Sequence, residues 1–276
     1  MSMATCSQRA VSSLALPWLT RPFTPKSLGH IRRLLDADII DASFNHFQKS
    51  GNAAVLVPLC NVDNEPSIIF ELRAKKLRSH SGEVSFPGGR VDEVRTLLLF
   101  ITRQLTQAQS DPSLPFAALR ETQEELGIDP CRVELLGNFG PPEFNLKGNL
   151  RVWPIVGFVH ATEGSQSVAE DEVLPSIDMD ALRKQVSEDE VATTFHLPLS
   201  ALTAPARLRS TLFRGDTPYW SIDVTDLVSK HVSPDAPDPN QPGIDEVGPG
   251  AEGKIEVWGL TGWYISLLMR KLGVYR

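Results

Sequence analysis

The chain has 276 residues, 41% apolar and 22% charged, which suits a globular protein with one well-cored domain plus tails, or two small domains. Its net charge of −7 argues against a nucleic-acid backbone as partner, while a phosphate-bearing small molecule stays compatible once a cation offsets local carboxylates. The longest apolar run, Leu97 to Ile101, is far too short for a membrane span, and Cys6, Cys60 and Cys131 are scattered with no Cys-x-x-Cys pair, against a disulfide framework or a zinc site.

Met1 to Leu35 contains no Asp or Glu but carries Arg9, Arg21, Lys26, Arg32 and Arg33. A basic, Ser-containing, acid-free stretch reads as a mitochondrial presequence or a disordered tail, and Pro17, Pro22 and Pro25 work against a long amphipathic helix there. Residues 1–35 are therefore set apart from a single domain over 36–276. The expected compartment is mitochondrial or peroxisomal, otherwise cytoplasmic. The final Val274-Tyr275-Arg276 is not a Ser-Lys-Leu peroxisomal address.

Ala53 to Leu59 and Ser67 to Leu72 read as strands joined by a polar turn over Asn61 to Pro66. A basic stretch, Arg73 to Arg78, leads to a turn ending Phe86-Pro87-Gly88-Gly89. Leu114 to Leu126 reads as a helix, with Ser113 as N-cap, Pro115 in the first turn and Gly127 as the stop. Arg132 to Gly137 and Val152 to His160 read as strands, Ala181 to Val186 as part of a helix, Phe195 to Leu202 as a short edge, and Trp220 to Val224 as a strand. Residues 233–253, rich in Pro, Gly and Asp, read as a mobile loop. Ile255 to Leu272 reads as a strand turning into a closing helix. Strands mixed with few helices imply an α/β domain built on a mixed sheet.

The helix carries the most informative residues, Arg120-Glu121-Thr122-Gln123-Glu124-Glu125-Leu126-Gly127-Ile128. At about 100° per residue, Glu121, Glu124 and Glu125 fall within an arc of about 100°. Three carboxylates on one helix face repel one another, and a divalent Mg²⁺ or Mn²⁺ with oxygen ligands would offset that repulsion. Leu119, Thr122 and Leu126 lie on the other side, free to pack on the sheet.

Gly88 and Gly89, followed downstream by Arg120, Glu121, Glu124, Glu125, Gly127 and Ile128, resemble the signature of the Nudix hydrolase family; Thr122 stands where an aliphatic residue is commoner. The resemblance implies a mixed β-sheet sandwiched between helices, with a catalytic loop–helix unit. It implies Glu121, Glu124 and Glu125 as metal ligands, and Arg120 as the residue that orients the glutamates by ion pairing. It also implies glycines that let the loop come close to helix and ligand. Upstream, Arg73-Ala74, Arg78, Gly82 and Phe86-Pro87-Gly88-Gly89 resemble the coenzyme A diphosphatase branch, although Glu71 and Leu72 depart from its usual aliphatic-Thr start. On that resemblance Arg73, Arg78, Gly82, Phe86, Gly88 and Gly89 are expected to meet substrate, with Lys75 and Lys76 as weaker candidates, since arginines make bidentate phosphate contacts. Glu190 resembles a loop carboxylate that serves related enzymes as a further ligand or general base; Glu188 and Asp189 compete for that role. Val152 to Phe158 and Trp258-Gly259-Leu260-Thr261-Gly262 resemble further family segments.

One departure is large. Removing Val94 to Gln109 restores the branch's spacing between Gly-Gly and Arg-Glu. These sixteen residues read either as a retained in-frame intron, since Val-Arg can encode a splice donor and Gln an acceptor, or as a lineage-specific loop. Transcripts across the segment decide: a single product keeping the whole stretch would sink the intron reading.

The implied function is Mg²⁺- or Mn²⁺-dependent cleavage of coenzyme A, and of acyl or oxidised forms, into 3′,5′-ADP and a 4′-phosphopantetheine product. The alternatives are a Nudix pyrophosphatase for ADP-ribose or another nucleoside diphosphate derivative, and a non-catalytic Nudix-like binding module if the insert disables the site. A small-molecule substrate is the expected partner, with no nucleic acid and no membrane span.

Overall fold

The computed structural model describes residues 19–35, 51–77, 80–91, 113–163, 168–232, 250 and 253–275. The insert 94–109, most of the loop expected over 233–253, Met1 to Trp18 and Arg78 lie outside the described residues.

The stretch set apart as a tail joins the core from residue 19 onward. Helix α1 spans Pro25–Leu34. The Thr24 side chain accepts from the Ser27 backbone N–H and the Ser27 hydroxyl accepts in return, while Pro25 opens the first turn, where its missing N–H costs nothing. A proline expected to spoil a helix thus starts one. Phe23, Leu28 and Ile31 are buried. The buried Asn61 side chain accepts the Phe23 N–H at 2.7 Å and donates to the carbonyls of Phe23 and Leu174 at 3.1 and 2.8 Å, holding the approach to α1 against the sheet.

The main sheet contains β1 (Gly51–Val62), β2 (Glu65–Arg73), β3 (Val84–Ser85), β4 (Gly88–Arg90), β5 (Val133–Asn138), β6 (Glu143–Phe144), β7 (Leu150–Val159) and β8 (Val191–Pro198). Its order is β3-β2-β1-β7-β5, with β4 on β1, β6 on β7 and β8 on β2. The β1–β7 pair is parallel and the other pairs are antiparallel, so the sheet is mixed. The β1–β2 turn is tighter than Asn61 to Pro66. Pairing runs on to Val62 opposite Glu65, and Asp63 and Asn64 take φ of 50° and 61°, a conformation Asx residues tolerate.

Both sheet faces are covered, and strand alternation shows how. Along β1, Ala53, Val57 and Leu59 enter one core while Ala54, Leu56, Cys60 and Val62 enter the other. Helix α2 (Leu114–Leu126) and short α3 (Met179–Arg183) cover the second face. Helix α1 and the closing helix α5 (Gly259–Lys271) cover the first. The result is the expected helix–sheet–helix sandwich. Among the described residues no helix is long and apolar enough to cross a membrane.

A second, three-stranded sheet follows. Strand β9 (Leu208–Phe213) pairs with β10 (Thr217–Asp223), and β11 (Glu256–Val257) with β10; α4 (Thr225–Val228) lies between β10 and β11. Strand β9 was not evident in the sequence, because its residues alternate polar and half-buried without a continuous apolar face. Asp223 fastens this sheet: its carboxylate accepts from the Thr225 hydroxyl and N–H at 2.7 and 3.1 Å and meets Lys254 at 2.8 Å. Burial opposes ionisation of Asp223, but Lys254 and Thr225 outweigh it and hold the carboxyl at about 2. A depressed carboxylate stabilises the fold at pH above its ordinary value of 3.8 and loses that contribution as pH falls towards about 2. Asp223→Asn should therefore lower Tm at neutral pH and flatten the acid limb between those two pH values; unchanged limbs in thermal melts across pH would refute this.

Candidate functional site

The site forms where the β3–β4 turn meets α2. Ser113 caps α2 by accepting the Phe116 N–H, and Gly127 ends it at φ 69°, the left-handed C-cap for which glycine is suited. Thr122, the departure from the aliphatic pattern, is fully buried; its hydroxyl donates to the Ala118 carbonyl at 2.6 Å, so the polar atom is satisfied one turn back. Leu119, Thr122 and Leu126 face the sheet as expected.

The acidic face is not uniform. The Glu124 side chain is 56% exposed, that of Glu121 16% and that of Glu125 3%. Arg120 reaches Glu121 at 3.0 Å and Glu124 at 2.9 Å, and donates to the Arg90 carbonyl at 3.1 Å, so it joins two of the glutamates to the loop. Glu125 turns inward, accepting the Gly88 N–H at 2.7 Å and meeting Arg73 at 3.4 Å. The three glutamates therefore share the helix but have separate partners, Arg120 for Glu121 and Glu124, and Gly88 with Arg73 for Glu125.

Behind Glu125 lies a residue the sequence marked only as a departure. Glu71 is fully buried; its Oε1 accepts from Ser85 Oγ at 2.8 Å and meets Arg73 at 3.2 Å, while its Oε2 is buried with no hydrogen-bond partner. Burial raises the Glu125 carboxyl well above its ordinary range and Glu71 raises it further; burial likewise raises Glu71, against the pull of Arg73. Burial also raises Glu121, opposed by Arg120. Crowded, desolvated carboxylates with one orphaned oxygen are a donor set suited to a hard divalent cation, so the residues fit Mg²⁺ or Mn²⁺.

The glycines make the close approach possible. A Cβ on Gly89 would stand 2.4 Å from the Glu121 carboxylate, and one on Gly88 would stand 2.4 Å from the Ala54 carbonyl. Because that carbonyl is backbone and cannot swing away, Gly88→Ala should destabilise the fold by roughly 1–3 kcal/mol, the range for overpacking. Urea unfolding reads this, and an unchanged midpoint would contradict it.

The other expected contacts divide. Arg73, Phe86, Gly88 and Gly89 all line a cavity of about 480 Å³, to which no residue of α2 contributes. Phe86 is, however, 97% buried (3% exposed) and stacks on Phe70 with centroids 5.1 Å apart, so most of its ring is core. Gly82 sits at φ 70° in the turn before β3, its N–H bonded to the Arg73 carbonyl; it shapes the turn and does not line the cavity. Arg78 lies outside the described residues. In the loop before β8, Asp189 pairs with Lys76 in an ion pair open to solvent. Glu190 is exposed, and its backbone carbonyl accepts the Ala74 N–H at 2.8 Å, next to Arg73. Separately, Asp129, Cys131 and Glu163 place ligand atoms within 4.8 Å of one another at the surface. Cys60 is buried.

This geometry is that of a loop–helix carboxylate site on a mixed sheet, and the NUDIX domain family matches residues 51–194, just over half the chain. The chain belongs to the Nudix family. Among curated proteins, one described as an uncharacterized Nudix hydrolase, NudL, from Citrobacter koseri is 36% identical over 148 residues, covering 54% of this chain and 57% of that protein. The protein of the same description from Cronobacter sakazakii is 35% identical over 168 residues, covering 61% of this chain and 66% of that one. The chain thus spans about three fifths of the length of these relatives. A crystal structure of a NUDIX hydrolase from Alicyclobacillus acidocaldarius overlays at TM-score 0.34 with 19% identity, covering 55% of this chain and 80% of that one, too loosely to add to the assignment.

Proposed function

We propose that this protein hydrolyses a phosphoanhydride bond with the help of Mg²⁺ or Mn²⁺, and that its substrate is coenzyme A. The observation that carries the reading is the packing of buried Glu125 and Glu71 against the Gly88 N–H and Arg73, with Glu121 and Glu124 tied to Arg120 alongside. Glu121, Glu124 and Glu125 would hold the cation. When bound, it supplies charge neutralisation on the anhydride oxygens and activation of water. Arg120 keeps Glu121 and Glu124 in line with the loop. Gly88 and Gly89 let the loop backbone lie against β1 and the Glu121 carboxylate, and Arg73 offers a guanidinium on the cavity wall as a phosphate contact. Glu190, exposed in the loop before β8, would take a proton from attacking water or add a ligand. The cleavage adds water across the P–O–P bridge, leaving one phosphate on each product.

The coenzyme A assignment rests on Arg73, Ala74, Gly82 and Phe86 to Gly89 standing in the branch's pattern, together with a cavity whose wall beyond Arg73 is mostly apolar. A panel of coenzyme A, ADP-ribose and dinucleoside polyphosphates tests it. The expected result is a kcat/KM for coenzyme A at least about tenfold above the others, and an ADP-ribose preference would replace the assignment. Cation binding is read apart from turnover: Mn²⁺ should raise Tm in the wild type, by mass action on the folded state, and EDTA should reverse the gain. A Tm indifferent to Mn²⁺ contradicts the proposed ligand set.

A further inference from the structure

Glu71 stands outside the loop–helix signature, does not line the cavity, and is fully buried. The antiparallel β2–β3 pairing sets it opposite Ser85, whose hydroxyl donates to its Oε1 at 2.8 Å. The same oxygen meets Arg73 Nη1 at 3.2 Å; Arg73 lies two residues along β2, on the same face of the strand. The other oxygen, Oε2, is buried with no hydrogen-bond partner among the described residues, and so is the Arg73 Nε. Buried polar atoms left unpaired cost free energy, so a carboxylate kept here in that state calls for a role beyond packing.

Glu125 has no such reserve. One of its oxygens accepts the Gly88 N–H at 2.7 Å, and the other shares Arg73 Nη1 at 3.4 Å, the longest contact of the group. A Glu125 oxygen turned towards a divalent cation gives up that contact first, because the guanidinium and the cation repel each other across one carboxylate. Arg73, whose side chain is 22% exposed, would then be a largely enclosed charge, and leaving such a charge unpaired is strongly unfavourable. Among the described residues Glu71 and Glu125 are the carboxylates that meet Arg73. Glu83, whose carbonyl accepts the Arg73 N–H, turns its own carboxylate to His80 at 3.0 Å.

We propose that Glu71 is a positioning residue for the cation site: it keeps Arg73 paired and drawn back, which frees Glu125 to bind Mg²⁺ or Mn²⁺. Glu71 touches neither cation nor substrate in this role and acts through Arg73. The inference rests on the reading of Glu125 as a cation ligand.

Mn²⁺ affinity without substrate, read from the paramagnetic resonance signal of free Mn²⁺ over the full chain, tests it. Glu71→Gln keeps the shape of the side chain and an oxygen for Ser85, but removes the charge that pairs Arg73. It should weaken Mn²⁺ binding by about 10–100-fold, the range for losing a group that supports a metal ligand. Glu71→Gln combined with Arg73→Gln removes both charges at once, so the affinity should return to within about threefold of wild type, as expected for two residues that act as a pair. A Glu71 that ligated the cation itself would leave the double variant as weak as the single one. A Glu71 needed only for folding would lower Tm without moving the Mn²⁺ affinity of the folded protein. Either result overturns the proposal. Normal Mn²⁺ binding by the wild type with an unmoved affinity in Glu71→Gln overturns this inference alone, whereas a wild-type chain that binds no Mn²⁺ removes the cation reading of Glu125 and this inference with it.

Discussion

Glu125→Gln is expected to cut turnover by roughly 10²–10³-fold, the loss found when one group that stabilises developing charge is removed. The same change should leave Tm unchanged or higher in cation-free protein. The Gln carbonyl can keep the Gly88 N–H, and its amide can turn towards Glu71 in place of a second buried carboxylate. The Tm gain with Mn²⁺ should shrink or vanish in this variant. Loss of activity with retained or increased stability separates a functional glutamate from a structural one, because a buried structural ion pair loses roughly 3–5 kcal/mol when one partner is removed. A Glu125→Gln protein that turns over normally, or that unfolds at room temperature, would contradict the role given to this residue.

Phe86→Ala carries the largest expected stability loss, about 3–5 kcal/mol, typical for emptying a buried aromatic site. The Phe86 ring stacks on Phe70, which stacks in turn on Phe195 with centroids 5.7 Å apart, so the turn leading to Gly88 is anchored through three rings to β2 and β8. Removing the first ring leaves a cavity under the loop that positions Glu125. Urea unfolding should show the midpoint falling with little change in slope, and Phe86→Leu should recover much of the loss by refilling volume. If Phe86→Ala keeps its stability and only weakens substrate binding, the ring belongs to the ligand rather than to the core.

The catalytic helix could be read in the sequence residue by residue, because capping and periodicity are local: Ser113, Gly127 and the Leu119–Thr122–Leu126 face all stand where the pattern put them. Strands β1, β2 and β7 were legible from apolar runs, although their ends moved by a few residues where pairing partners extended them. The parts that escaped depend on distant contacts. Helix α1 is basic and proline-flanked, and only the pairing of Asn61 with Phe23 and Leu174, 38 and 113 residues apart from it, shows why it belongs to the core. The inward turn of Glu125 arises because β2 and α2 bring two carboxylates, Glu71 and Glu125, to one arginine, Arg73, whereas helical periodicity alone put Glu125 on one face with Glu121 and Glu124, away from the sheet. Strand β9 stayed hidden because Arg209, Ser210 and Thr211 interrupt its apolar residues, of which Leu208 and Phe213 are only partly buried against the core.

The central claim is tested most directly by incubating the full chain with coenzyme A and Mg²⁺ or Mn²⁺ and weighing the products, beside a version lacking Val94 to Gln109. The account predicts 3′,5′-ADP and a 4′-phosphopantetheine product in equal amounts, abolished by EDTA, with the two proteins' rates showing what the insert does. A folded, cation-loaded protein lacking Val94 to Gln109 that leaves coenzyme A intact would contradict it.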